Sequence, residues 1–159
     1  MATLKAYLFG CAVIVLLAPV PGKAQTDTLA VVSASGTAGS HGNRVQLSLM
    51  NVQEVAGVQL TLTPAHASLT MDSVRTTPRS LGMMPHWNGD NGKLILIDFS
   101  ASHAIDVGFG PVLEVFYSVD AGAPSGALPL NIENVVLSDS GGNAIPVAAV
   151  DGTFVIDNR

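Results

Sequence analysis

From Thr28 onward the chain is a succession of short apolar runs, none longer than ten residues, rich in Val, Ile, Leu and Thr and each cut off by a cluster of Gly, Asn, Asp, Ser or Pro. Runs so closely spaced leave no room for crossover helices, and none shows a sustained helical period. Nine strands are predicted: 28–33, 44–50, 55–63, 69–74, 93–100, 112–120, 128–137, 145–150 and 153–156. Between them lie SASGTAGSHGN, TPAHAS, HWNGDNG, DAGAPSG and SDSGGN, whose residue types supply the positive φ or preset kink that tight turns need. The expected fold is all-β, a single-domain sandwich of two antiparallel sheets.

Composition agrees. Charged residues make up 12% and aromatics 5% of the 159 residues, against 16 Gly and 9 Pro. That is poor material for a helical bundle. The N-terminal stretch MATLKAYLFGCAVIVLLAPVPGKA carries Lys5, an apolar run from Tyr7 to about Val20, a Pro-Gly break, and small residues at Gly22 and Ala24. This order is that of a secretory signal peptide spanning 1–24, with the domain over 25–159 and a secreted, extracellular product. The apolar run is too short and Pro-broken for a membrane span. A lipoprotein reading through Leu8-Phe9-Gly10-Cys11 is the rival, but almost no apolar run precedes Cys11. Without the leader no cysteine remains, which excludes disulfides, thiolate catalysis and Cys-ligated metals. Loss of Lys5 and Lys23 leaves five basic against 12 acidic residues, a net −7. That balance disfavours nucleic acid and anionic membrane surfaces, and no membrane insertion is expected after cleavage.

Side chains alternate faces along a strand, so an apolar residue on the polar parity needs an explanation. Val45, Leu47 and Leu49 alternate with Arg44, Gln46 and Ser48, and Val58, Leu60 and Leu62 with Gln59, Thr61 and Thr63. In KLILIDFS the inward set is taken as Ile95, Ile97 and Phe99, because Asp98 and Ser100 share the other parity. Leu94 and Leu96 then face out. In VLEVFYSVD the inward set Leu113, Val115, Tyr117 and Val119 leaves Phe116 outward beside Glu114 and Ser118. Outward Leu94, Leu96 and Phe116 are explained either by a covering loop or by an apolar recognition surface with a polar margin.

At this point the residues resemble a known family, the cohesin domains, which receive dockerin domains in cellulosomes and related extracellular assemblies. The segment VQLSLMNVQEVAGVQLTLT is similar to the family's paired strands, and Phe99-Ser100-Ala101 to its middle strand. The stronger likeness is the order Leu137-Ser138-Asp139, Gly142-Asn143, Ile145-Pro146 and Asp151-Gly152 before the last strand. The resemblance implies a nine-stranded jelly-roll sandwich, related in topology to carbohydrate-binding modules, that binds a dockerin-like protein through one flat sheet. It makes the strands 93–100 and 112–120 neighbours. The implied partner face has Leu94, Leu96 and Phe116 at its centre and Gln59, Thr61, Asp98, Ser100 and Glu114 at its margin. No dockerin-type repeat, Thr-Pro linker or second module is visible, so the implied cohesin is solitary.

Catalysis is not expected. Glu54, Glu114 and Glu133 are the glutamates, and turn chemistry accounts for Asp90, Asp139 and Asp151, so no carboxylate pair stands out for sugar hydrolysis. His41, His66, His86 and His103 lack metal-ligand spacing, and Ser138–Asn143, though rich in oxygen ligands, lacks the glutamate of a helical calcium loop. Neither cofactor nor metal is expected. The first alternative is carbohydrate binding, with Trp87 and its neighbours His86, Asn88 and Asp90 as the candidate site and a polysaccharide as ligand. The simpler role for Trp87 is to cap the end of the sandwich. A third class is a structural subunit of a cell-surface or extracellular assembly.

Overall fold

The computed structural model describes residues 26–64 and 66–157, so the leader expected over 1–24 lies outside the described residues. The described chain forms β1 (Asp27–Val32), β2 (Ala34–Thr37), β3 (Asn43–Asn51), β4 (Gly57–Pro64), β5 (Leu69–Thr76), β6 (Met84–Asn88) and β7 (Lys93–Ile97). They are followed by β8 (Gly108–Val119), β9 (Gly126–Ser138), β10 (Ala144–Ile145), β11 (Val147–Val150) and β12 (Gly152–Asp157). One 3-10 turn, Pro78–Ser80, is capped by Thr77, whose hydroxyl accepts the Arg79 N–H while Ser80 Oγ accepts the Thr77 N–H. All nine expected strands are present. The run 145–150 divides at Pro146, and β2 and β6 come in addition.

Two sheets face each other. One has the order β11-β1-β3-β8-β5; the other runs β2-β12-β9-β4-β7-β6, with β10 attached to β9. The pairs β1 with β11 and β2 with β12 are parallel, a correction to the purely antiparallel expectation. The cause lies at the chain ends, each of which crosses from one sheet to the other: the first between β1 and β2, the last between β10, β11 and β12.

The core is the space between the sheets. Leu29, Val45, Leu47, Leu49, Val115 and Tyr117 enter it from the first sheet, and Leu60, Leu62, Leu94, Leu96, Leu130 and Phe154 from the second, all at most 1% exposed. In β3, β4 and β8 the buried sets are the ones that alternation selects.

In β7 the selected set is reversed. Leu94 and Leu96 are core residues, Ile95 and Ile97 are half-buried on the outer side, and Phe99 is 74% exposed. The strand ends at Ile97, and Asp98 begins a turn, so the polarity of Asp98 and Ser100 says nothing about the strand's faces. Within the strand, Lys93 shares its parity with Ile95 and Ile97 and marks the wet side. The neighbourhood is corrected as well: β8 pairs with β3 and β5, whereas β7 pairs with β4 and β6 in the opposite sheet. The crossing segment 98–107 is held by paired backbone hydrogen bonds between Val55 and Ile105, 3.0 and 2.8 Å.

Candidate docking face

The split of β7 from β8 divides the expected partner face. Gln59 and Thr61 stand on the outer side of β4, exposed and half-buried, as expected. Asp98 and Ser100 lie in the turn after β7. Phe116 and Glu114 lie half-buried on the outer side of the other sheet, and Leu94 and Leu96 on neither outer face. The two faces differ in chemistry. Around Phe116 the outer side is charged: Arg44 Nη1 meets Glu114 Oε1 at 3.0 Å, Gln46 Nε2 donates to the same oxygen, and the Arg75 guanidinium sits 5.0 Å from the Phe116 ring centre.

On the β9-β4-β7-β6 side the outward apolar residues Val136, Ile95, Ile97 and Met84 stand among polar Gln59, Thr61, Lys93, His86 and Asn88. Cross-strand register puts Val136, Gln59, Ile95 and His86 in one row over four strands, with Gly57, Ile97 and Met84 in the next. Val136 is 45% and Met84 53% exposed. Phe99 extends the apolar area, its ring edge-on to His86 at 5.6 Å. Sequence reasoning missed Ile95, Ile97, Val136 and Met84; for Ile95 and Ile97, the parity of Lys93 was the available signal.

Asp98 organises the adjoining turn. Its carboxylate accepts the N–H groups of Ser100, Ser102 and His103, the Ser100 hydroxyl at 2.7 Å, and a contact from His103 Nδ1 at 2.9 Å. These hydrogen bonds, those from Ser100 foremost, hold its pKa far below the ordinary aspartate value. Asp139 is tied in the same way, chiefly by Asn143 and also by the Gly141 N–H, and its pKa is likewise lowered. Both carboxylates line a cavity of about 650 Å³, with Glu54, Arg79, His103 and Asp106. Arg79 serves the fold there: it donates to the carbonyls of Leu49, Gly110 and Asp106 and to Asn51 Oδ1, at 2.7 to 3.1 Å. Among the described residues no group of three or more His, Cys, Asp or Glu could hold a metal ion.

The carbohydrate candidates separate too. His86, Trp87 and Asn88 belong to the edge strand β6 and line a shallow hollow of about 180 Å³, whereas Asp90 lines a different cavity. Trp87 is 43% exposed and directly opposite the buried Leu94, on the inward register of that edge.

By sequence, the chain matches no family model and no curated protein. Structure is decisive where sequence is silent. A non-cellulosomal cohesin from the hyperthermophilic archaeon Archaeoglobus fulgidus superposes with a TM-score of 0.70 over 84% of this chain and 93% of its own, at 20% identity. The fold is that of a cohesin. A type I cohesin from Clostridium thermocellum, solved in complex with a dockerin, gives a TM-score of 0.70 over 84% of this chain and all of its own, at 14% identity. The cohesin CaCohA2 from Clostridium acetobutylicum, solved in solution, gives 0.66 over 83% and 91%, at 18% identity. The likeness of fold therefore extends over more than four-fifths of the chain.

Proposed function

We propose that this chain is a secreted, non-catalytic receptor module that binds a protein partner, dockerin-like in kind, on the outer face of β9-β4-β7-β6 within an extracellular assembly. The observation that carries the reading is the row Val136, Gln59, Ile95 and His86 with Ile97, Met84 and Phe99 beside it. It is an apolar centre with polar neighbours, laid on a rigid sheet, which is the composition of a protein interface. The cohesin fold supports a protein as partner, since cohesins of this fold have been solved bound to dockerins. The carboxylates Asp98 and Asp139 are engaged with their own turns, which argues against an acid-base pair in the large cavity. The leader read over 1–24 supports the extracellular setting.

The test is a pull-down from the producing organism's secretome with two baits, the wild-type protein and Ile95→Asp. A partner retained by the first and lost by the second supports the face. Equal retention by both would overturn it.

A further inference from the structure

Beyond Ile97 the chain turns sharply over residues 98–101, where the Ala101 N–H donates to the Asp98 carbonyl at 3.1 Å and Phe99 takes the second position. Turns favour Pro, Asp, Asn, Ser or Gly. Phe99 is instead an aromatic side chain, and at 74% exposed its ring adds little to the core. The turn beneath it is fixed from several sides. The Asp98 carboxylate accepts the N–H groups of Ser100, Ser102 and His103 and meets His103 Nδ1. The His103 ring in turn packs against Gly82, where a Cβ would stand 2.4 Å from it. Ala101 holds a left-handed φ of +53°, which an L side chain adopts only where its surroundings enforce it. Backbone strain of that kind gathers at recognition elements, and here it falls in a turn that presents one phenyl ring to solvent.

The ring is continuous with the row Val136, Gln59, Ile95 and His86, because it stands edge-on to His86. On its other side the turn forms a wall of the 650 Å³ cleft, which Asp98, Ala101 and His103 line together with Glu54, Asp106 and Asp139. Four carboxylates there stand against one arginine, and Arg79 is committed to carbonyl groups of the fold. The hydrogen bonds that lower the pKa of Asp98 and Asp139 keep both of them charged. This end of the face therefore favours a basic neighbour. We infer that Phe99 is the anchor of the docking face: its ring inserts into an apolar, ring-sized pocket of the protein partner, which Lys or Arg borders where it meets the cleft. The inference rests on the docking face proposed above and adds the shape and charge of what binds there. Since the turn already holds the ring in place, little side-chain ordering opposes its insertion.

The experiment measures, by surface plasmon resonance, the affinity of the protein that the wild-type bait retains from the secretome for wild type, Phe99→Ala, Glu54→Lys and Ile95→Asp. Phe99→Ala should weaken binding about tenfold or more without lowering the melting temperature. Glu54→Lys should weaken it at low salt and less so at high salt. If Ile95→Asp abolishes binding while Phe99→Ala stays within about twofold of wild type, the anchor is overturned and the docking face stands. A fall in melting temperature for Phe99→Ala would also overturn the anchor, because the ring would then serve the fold. Unchanged binding by Glu54→Lys at low salt would overturn the basic border. Full binding by Ile95→Asp, or a wild-type bait that retains nothing, would overturn the docking face and the anchor with it.

Discussion

Gln59 of β4 lies directly across from Ile95 of β7, both on the outer side of the sheet, while the flanking pairs Val58–Leu96 and Leu60–Leu94 point into the core. That register fixes which β7 side chains hold the fold and which are free to meet a partner. Leu96→Ala should remove about 2–5 kcal/mol of stability by leaving a core cavity. Ile95→Ala, half-buried at the surface, should cost under about 1 kcal/mol. Urea denaturation of the two variants reads the difference, and a larger loss for Ile95→Ala would reverse the register.

Gly92 combines a left-handed backbone with a close approach to Leu62. Gly92→Ala should therefore destabilise by about 2 kcal/mol or more. Gly122→Ala, whose added Cβ meets nothing within 4 Å, should stay within about 0.5 kcal/mol of wild type. Thermal melts of the pair check this.

Arg79 satisfies three carbonyls and an amide oxygen with one planar fork. Arg79→Lys keeps the charge but not the geometry, and it should still lose about 1.5–3 kcal/mol. Stability equal to wild type in chemical denaturation would contradict the structural role given to this side chain.

Asp98, held far below its ordinary pKa by Ser100, Ser102 and His103, contributes stability that is fully present above the unfolded aspartate value of ~3.9 and is lost progressively as pH falls from there to the lowered native value. The amides of Ser100, Ser102 and His103 should accordingly show no Asp98 titration step near pH ~4. A midpoint there, followed by NMR, would contradict the hydrogen-bond set.

Much of the fold was legible because alternation is a local property. In β3, β4 and β8 each inward residue is separated from the next by one polar or half-exposed neighbour, and burial follows that period. β7 failed because its end was misplaced: Asp98 looks like a strand's polar position but is a turn's hydrogen-bond acceptor. β6 was hidden by Pro85 and by the turn residues after Asn88, and an edge strand tolerates such a proline. The separation of Phe116 from Ile95 had no local signal at all, since it depends on which sheet the chain enters after crossing at 98–107.

The central claim is the location of the docking face, and the direct measurement is calorimetric titration of the captured partner into wild-type, Ile95→Asp and Phe116→Ala proteins. A charge placed at the middle of the Val136, Gln59, Ile95 and His86 row should weaken binding by about 2 kcal/mol or more, while Phe116→Ala, on the opposite sheet, should leave the affinity within about 0.5 kcal/mol. Loss of affinity in Phe116→Ala with full binding by Ile95→Asp would contradict the account.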